Sequence, residues 1–225
     1  MIGSPVSAII FDFDGVLADT EDLHCAAFQE VARDRGLALS RDDYYHRFLG
    51  LPDHDCIAAF CADAGPPLQV GELDRLVARK RRHFAELSAT MDLYPGVATT
   101  LRRLYERFAL AIASGAARDE IEAVLQRAGV QALFGALVAA EDVVAGKPAP
   151  DPFLRALDEL NRRRARPFAS RECVVVEDSP AGIAAARAAG MRCIAVTTSQ
   201  DRAAFGAVDA VIDGVARLRV EDFGR

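Results

Sequence analysis

The sequence has no Cys-x-x-Cys pair, no long apolar run, no excess of basic residues and no internal repeat or low-complexity tract. Each absence closes off a class of protein. Five cysteines (Cys25, Cys56, Cys61, Cys173 and Cys193) are scattered and odd in number. They read as reduced thiols of a cytoplasmic protein, used as small apolar core side chains. No stretch approaches the roughly 20 apolar residues of a membrane helix, so no membrane partner is expected. Met1–Ile10 carries no positively charged leader and only a brief apolar run, so no secretory signal is expected. The formal net charge is −6, whereas a general nucleic-acid binder presents a basic surface, so nucleic acid is not an expected partner. That balance leaves a phosphorylated small molecule open, because local charge decides its binding.

What is present is ordinary for a globular protein. The chain has 225 residues and 51% hydrophobic content, enough for one large domain or one domain with a smaller insert. A monomer or weak dimer is expected. Two textures alternate along it. Short, mostly continuous apolar runs at Ala8–Phe11, Phe108–Ala113, Ala136–Ala139, Cys173–Val176 and Cys193–Val196 read as strands covered on both faces, with Val208–Ile212 as a sixth. Between them lie helical segments. Val97–Arg107 and Arg118–Ala128 carry apolar residues at helical spacing, and Gly129 stands where a C-terminal cap belongs. Asp151-Pro152 and Ser179-Pro180 each read as an N-cap followed by proline at the first helical position. This alternation predicts an α/β fold, a Rossmann-like parallel sheet flanked by helices.

One region breaks the alternation. Glu21–Arg35, Asp53–Ala62 and Gly71–Ala89 read as helices with no strand between them, and Ser40-Arg41-Asp42-Asp43 resembles a capping box. An ordinary crossover needs one helix, so an all-helical cap subdomain is inserted here. The expected division is an α/β core of residues 1–18 and 92–225 and a helical cap of residues 19–91.

In an open parallel sheet, ligands gather beyond the carboxyl ends of the strands. Asp12-Phe13-Asp14-Gly15 follows the first strand and Ser114-Gly115 the second. Gly146-Lys147-Pro148 comes several residues after the third, and Glu177-Asp178-Ser179-Pro180 follows the fourth. Taken singly, an aspartate after a strand is a turn residue or a cap, Lys147 a surface lysine, and Ser114 or Glu177-Asp178 a helix cap. Together they suit phosphoryl transfer. Clustered carboxylates repel one another unless a hard cation such as Mg2+ joins them. One carboxylate can then attack phosphorus, and another two residues on can serve as general acid and base. Ser114 and neighbouring amides can bind the phosphoryl oxygens, and Lys147 can balance the charge.

Phe11-Asp12-Phe13-Asp14-Gly15-Val16-Leu17-Ala18-Asp19-Thr20 resembles the first signature of the haloacid dehalogenase superfamily, and Ser114, Lys147 and Glu177-Asp178 match its other motifs in order. Tyr94-Pro95-Gly96 and the strings around Lys147 and Asp178 are similar to the branch holding beta-phosphoglucomutase, phosphoglycolate phosphatase and sugar phosphatases. The resemblance implies a Mg2+-dependent phosphatase of a small phosphorylated metabolite, working through an aspartyl-phosphate. Asp12 is then nucleophile and metal ligand, and Asp14 is general acid and base with its carbonyl on the metal. Asp178 completes the ligands, and Glu177 ligates directly or through water. Gly15 permits the tight turn beside the nucleophile.

A dehalogenase needs no metal and leaves Asp14 and Asp178 without a task. A phosphonate hydrolase of the superfamily lacks the second aspartate. A mutase is the main alternative, since Thr20, His24 and Lys80 match or fall near cap positions of beta-phosphoglucomutase. The mutase, however, has an arginine three residues after a cap glycine, where Gly50-Leu51-Pro52 here leads to Asp53, an anion expected to repel phosphate. It also has a serine and a lysine where Ala116 and Ala117 stand, with Arg118 as a possible substitute. A non-catalytic phosphometabolite-binding regulator usually lacks the nucleophile or a metal ligand, and neither is missing. Candidate substrate contacts are Gly115, Thr20, His24, Lys80 and Arg118, with His46, His54, Arg81 and Arg82 behind them. The run Arg79–Arg82 reads first as a solvated helix face, and Tyr44, Tyr45 and Phe48 as cap core.

Overall fold

The structure, a computed structural model, describes residues 5–48, 51–162 and 164–223; the cap glycine Gly50 lies outside them. The chain divides into two compact units, Met1–Asp19 with Asp92–Arg225, and Thr20–Met91.

The first unit is built on six parallel strands: β1 (Ala8–Phe11), β2 (Ala109–Ala113), β3 (Phe134–Val138), β4 (Cys173–Glu177), β5 (Arg192–Val196) and β6 (Ala210–Ile212). Their order is β3-β2-β1-β4-β5-β6. The central strand β1 sets Ile10 beside Ala111 on one side and Val175 on the other. Strand side chains alternate between faces. Ile10, Ala111, Ala113, Val138 and Val175 pack with Phe153, Ala156, Leu157 and Ile183, which come from the helices on that face. Their alternates Ile9, Phe11, Leu110, Ile112, Val174 and Val176 are equally buried. Continuous apolar strands are what burial on both faces requires. Each of the larger side chains contributes about 1.5–3 kcal/mol, so the sheet is a rigid base for the loops at its edge. β3 begins earlier than its apolar run suggests, because Phe134 pairs with Leu110 across a register shift.

Four helices accompany the strands here, numbered after four others in the second unit: α5 (Val97–Tyr105), α6 (Arg118–Arg127), α7 (Asp151–Asn161) and α8 (Pro180–Ala188). At α8 the Ser179 hydroxyl accepts from the Gly182 amide at 3.0 Å, with Pro180 at the first helical position. At α7 the expected cap is off by one residue. Pro150 holds the N-cap position and its carbonyl accepts the first helical bond, from Leu154 at 3.0 Å, so Asp151 is already inside the helix.

The second unit contains α1 (Glu21–Asp34), the short α2 (Arg41–Asp43) running into a π-helical turn at Tyr44–Phe48, α3 (Asp53–Ala64) and α4 (Glu72–Ser88). It has its own core, including Phe28, Val31, Tyr44, Phe48, Ile57, Phe60 and Leu76. The capping box at Ser40 is half formed. The Ser40 hydroxyl accepts from the Asp43 amide at 3.0 Å, but the Asp43 carboxylate turns to that hydroxyl instead of the Ser40 amide.

Lys80 departs from the expected solvated face. Arg79, Arg81 and Arg82 are exposed, but Lys80 is only 2% exposed. It falls on the inner stripe of α4 with Leu73, Leu76 and Phe84, three or four residues apart. Its ammonium lies 2.6 Å from Asp53 Oδ1 and 2.7 Å from His24 Nδ1, over the rings of Phe28 and Phe84. Asp53 is therefore not the bare anion its sequence position suggests, because Lys80 matches its charge. Asp53 thus offers no unmatched charge to repel a phosphate and does not disfavour a mutase.

Candidate active site

β2 and β3 lie on one side of β1, and β4, β5 and β6 on the other. The chain thus reverses its direction of travel between β1 and β4, and the crevice at their carboxyl ends is the place where open α/β sheets bind ligands. Asp12 leaves β1 there. Its amide continues the ladder to the Val176 carbonyl at 3.0 Å, which fixes where its side chain starts. The next residues form a tight turn, with Leu17 N donating to Phe13 O at 2.8 Å and Gly15 N to Ala18 O at 2.9 Å. Gly15 sits at φ +69°, and a Cβ on it would lie 2.0 Å from Asp178 Oδ2. Both the backbone and the space demand glycine.

The Lys147 ammonium lies 2.7 Å from Asp12 Oδ1 and 2.6 Å from Glu177 Oε1, above the Phe153 ring. Asp178 follows Glu177 from β4, and carboxylate atoms of Asp12, Glu177 and Asp178 all lie within 4.8 Å of one another. The three are buried. Ser114, at the end of β2, donates to Asp14 Oδ2 at 3.3 Å and accepts from the Ala116 amide at 3.1 Å. Asp12, Asp14, Ser114, Lys147, Glu177 and Asp178 are thus gathered at one sheet edge.

Glu177 is engaged on both oxygens. Oε2 accepts from the amides of Asp178 and Ser179, at 2.8 Å each, and from the Ser179 hydroxyl at 2.9 Å, while Oε1 faces Lys147. A Cβ on Gly182 would fall 1.7 Å from Glu177 Oε1, so glycine there makes room for the carboxylate. This geometry makes Glu177 an anchor for Lys147 and for the turn that carries Asp178.

The electrostatics follow from crowding. Burial, with Glu177 and Asp14 nearby, pushes Asp12 up to about 7 from its ordinary 3.8, against the opposing pull of Lys147. Asp178 is raised well above the usual range by burial and then by Glu177 and Asp12. Glu177 is lowered despite burial, by Lys147 and its hydrogen bonds. Lys147 is raised despite burial, by its two carboxylates. One ammonium does not balance this cluster, and oxygen-only donors select a hard divalent cation. The donor set fits Mg2+.

Other sequence-derived residues are placed less suggestively. Gly115 is exposed, with open space around it. The Arg118 guanidinium is held by Asp142, the Leu137 carbonyl and Glu122, so its charge is already matched. Within the helical unit, Thr20 is fully buried and its hydroxyl has no hydrogen-bond partner among the described residues. His24 stacks on Phe84 at 4.1 Å. Burial and then the Lys80 charge hold it well below its ordinary pKa, giving a neutral ring that accepts from Lys80. His46 and His54 are exposed. Two residues outside the sequence-derived set join the core site, Thr198 and Ser199. They follow β5, so the strand-end rule carried one strand further would have reached them.

The chain matches the family model described as haloacid dehalogenase-like hydrolase over residues 9–196. It is 35% identical over 209 residues to the chloroplastic protein Suppressor of quenching 1 of Arabidopsis thaliana, with 88% of this chain covered but only 18% of that protein. It is 30% identical over 224 residues to a phosphorylated carbohydrates phosphatase of Thermotoga maritima, covering 95% of this chain and 90% of that one. The solved structure of CbbY from Rhodobacter sphaeroides in complex with phosphate superposes with a TM-score of 0.80 at 30% identity, over 95% of this chain and 96% of that one. A mutant of the same protein was solved with xylulose-(1,5)bisphosphate. The matched span runs from β1 to the end of β5 and takes in Asp12, Asp14, Ser114, Lys147, Glu177 and Asp178, and the chain belongs to the haloacid dehalogenase-like hydrolase family.

Proposed function

We propose that this chain is a Mg2+-dependent phosphatase of a small phosphorylated metabolite, of the sugar-phosphate kind, working through an aspartyl-phosphate on Asp12. The observation that carries the reading is the buried set Asp12, Glu177 and Asp178 with one ammonium among them and Asp14 beside Ser114. The phosphatase and phosphate-bound relatives support it, as does the bisphosphate held by the CbbY mutant. The chain is a phosphoric monoester hydrolase in this reading, and its five buried free thiols suit a cytoplasmic setting. No helix among the described residues is long and apolar enough to cross a membrane.

Asp12, Asp178 and the Asp14 carbonyl would hold the metal. Bound there, Mg2+ supplies charge neutralisation for the carboxylates and the phosphate. A carboxylate oxygen of Asp12 attacks phosphorus as the ester P–O bond breaks, and the leaving oxygen takes its proton from Asp14. Asp14, now a carboxylate, removes a proton from water as that water attacks the acyl-phosphate, releasing phosphate and restoring Asp12. Lys147 holds Asp12 in place and offsets charge on the phosphoryl oxygens. The Ser114 hydroxyl fixes Asp14 and can donate to a phosphoryl oxygen. Thr20, His24, Lys80, Gly115 and Arg118 remain candidates for substrate selection, with Lys80 and Arg118 requiring release from their present partners.

With p-nitrophenyl phosphate, turnover is expected with Mg2+, is lost in EDTA and is abolished in Asp12→Asn. EDTA-resistant turnover would sink the metal mechanism. Asp14→Asn is expected to slow turnover by roughly 10²-fold or more while calorimetry finds Mg2+ binding intact. An unchanged rate removes Asp14 from proton transfer. Given glucose 1-phosphate and its bisphosphate, the protein is expected to release inorganic phosphate, and accumulation of glucose 6-phosphate would make it a mutase instead.

The crowded carboxylates also predict a pH dependence. With Asp12 at about 7 folded and 3.8 ordinarily, the metal-free folded state binds more protons than the unfolded state between those values. Its stability therefore falls as pH rises through that window. Mg2+ binding relieves that loss, so MgCl2 is expected to raise Tm more at about pH 8 than at about pH 5.5. Equal rises would mean that these carboxylates do not bind the metal.

A further inference from the structure

Asp178 is the one member of the carboxylate cluster with no ion pair among the described residues, since Lys147 reaches Asp12 and Glu177. Beside its side chain stands a neutral group, the Ser199 hydroxyl. Ser199 is supplied by the loop after β5, beside β4 in the sheet. That loop is tied to the nucleophile turn by its neighbour, because the Thr198 hydroxyl donates to the Gly15 carbonyl. The Ser199 oxygen and Asp178 Oδ2 converge over Gly15, at 2.3 and 2.0 Å from where a Cβ would stand.

From this geometry we infer that Ser199 is a positioning residue for Asp178. Its hydroxyl holds one face of a carboxylate that like charges push away, and leaves the rest of that carboxylate free to ligate. Thr198 sets the height of the hydroxyl by fastening its loop to the turn between Asp14 and Val16. A carboxylate ligand held by an outer hydrogen bond keeps its orientation without the metal, and losing such a partner typically costs roughly 10–100-fold in metal affinity. A donor that is neutral is also the right choice here. A lysine or arginine at the same place would neutralise Asp178 outright and compete with a cation for it.

This inference rests on the Mg2+ reading above, and the test separates the two. Mg2+ binding is measured by calorimetry on the full chain for the wild type, Ser199→Ala and Ser199→Thr, alongside Tm in EDTA. The wild type is expected to bind. Ser199→Ala is expected to bind roughly 10–100-fold more weakly with an unchanged Tm in EDTA, and Ser199→Thr, which keeps the hydroxyl, to recover the affinity. Equal Mg2+ affinity in Ser199→Ala overturns the inference and leaves the phosphatase reading standing. So does a loss that Ser199→Thr fails to recover, or one matched by a fall in metal-free Tm, since the side chain would then be holding the fold. A wild type that binds no Mg2+ overturns both.

Discussion

The repulsion among buried carboxylates at the carboxyl ends of β1 and β4 is the constraint that the rest of the site depends on. Asp12, Glu177 and Asp178 bring ligand atoms within 4.8 Å of one another in a place sheltered from water. Such a cluster is unfavourable by itself. It persists because the sheet beneath it is buried on both faces and leaves the strand ends no freedom to spread. Stability held elsewhere in the fold keeps the strained edge together, which is a common relation between a core and a site.

The residues around the cluster make sense as answers to that repulsion. Lys147 bridges two of the three carboxylates. The Asp178 and Ser179 amides and the Ser179 hydroxyl engage Glu177. Gly182 and Gly15 give up side chains so that Glu177 and Asp178 fit. Ser114 holds Asp14 at the far side. None of these groups supplies a second positive charge, and the donor set is one that a divalent cation would fit.

Much of this was legible in the sequence because it is local. Apolar runs of four or five residues with a polar residue at the end mark both the buried strands and the site, so Asp12, Ser114 and Glu177-Asp178 could be read together. Ser179-Pro180 marked the start of α8 for the same reason, since cap chemistry is confined to adjacent residues. What escaped was set by packing across the chain. Nothing near Lys80 in sequence reveals that Asp53, 27 residues away, neutralises it. The shift of the α7 cap to Pro150 depends on the preceding turn, in which Ala149 N donates to Gly146 O. Thr198 and Ser199 escaped because hydroxyl residues after a strand are common and carry no charge; only their contacts with Gly15 and Asp178 distinguish them.

Each of the two units buries a lysine against an aspartate, and the two lysines differ in what else surrounds them. In the helical unit, Lys80 meets Asp53 and a neutral His24, one positive charge against one negative, with two aromatic rings as walls. Such a group is complete; it needs no further ion, and removing either partner would leave a buried charge uncompensated. At the sheet edge, Lys147 meets the same kind of ring, Phe153. There, however, one ammonium stands among three carboxyl groups, and burial with their mutual repulsion pushes Asp12 up to about 7 and Asp178 well above the usual range. Burial and ion pairing are alike in both places, so neither marks function. The excess of carboxyl groups over ammonium groups is what differs, and under the proposed function a divalent cation would offset it as those groups ionise.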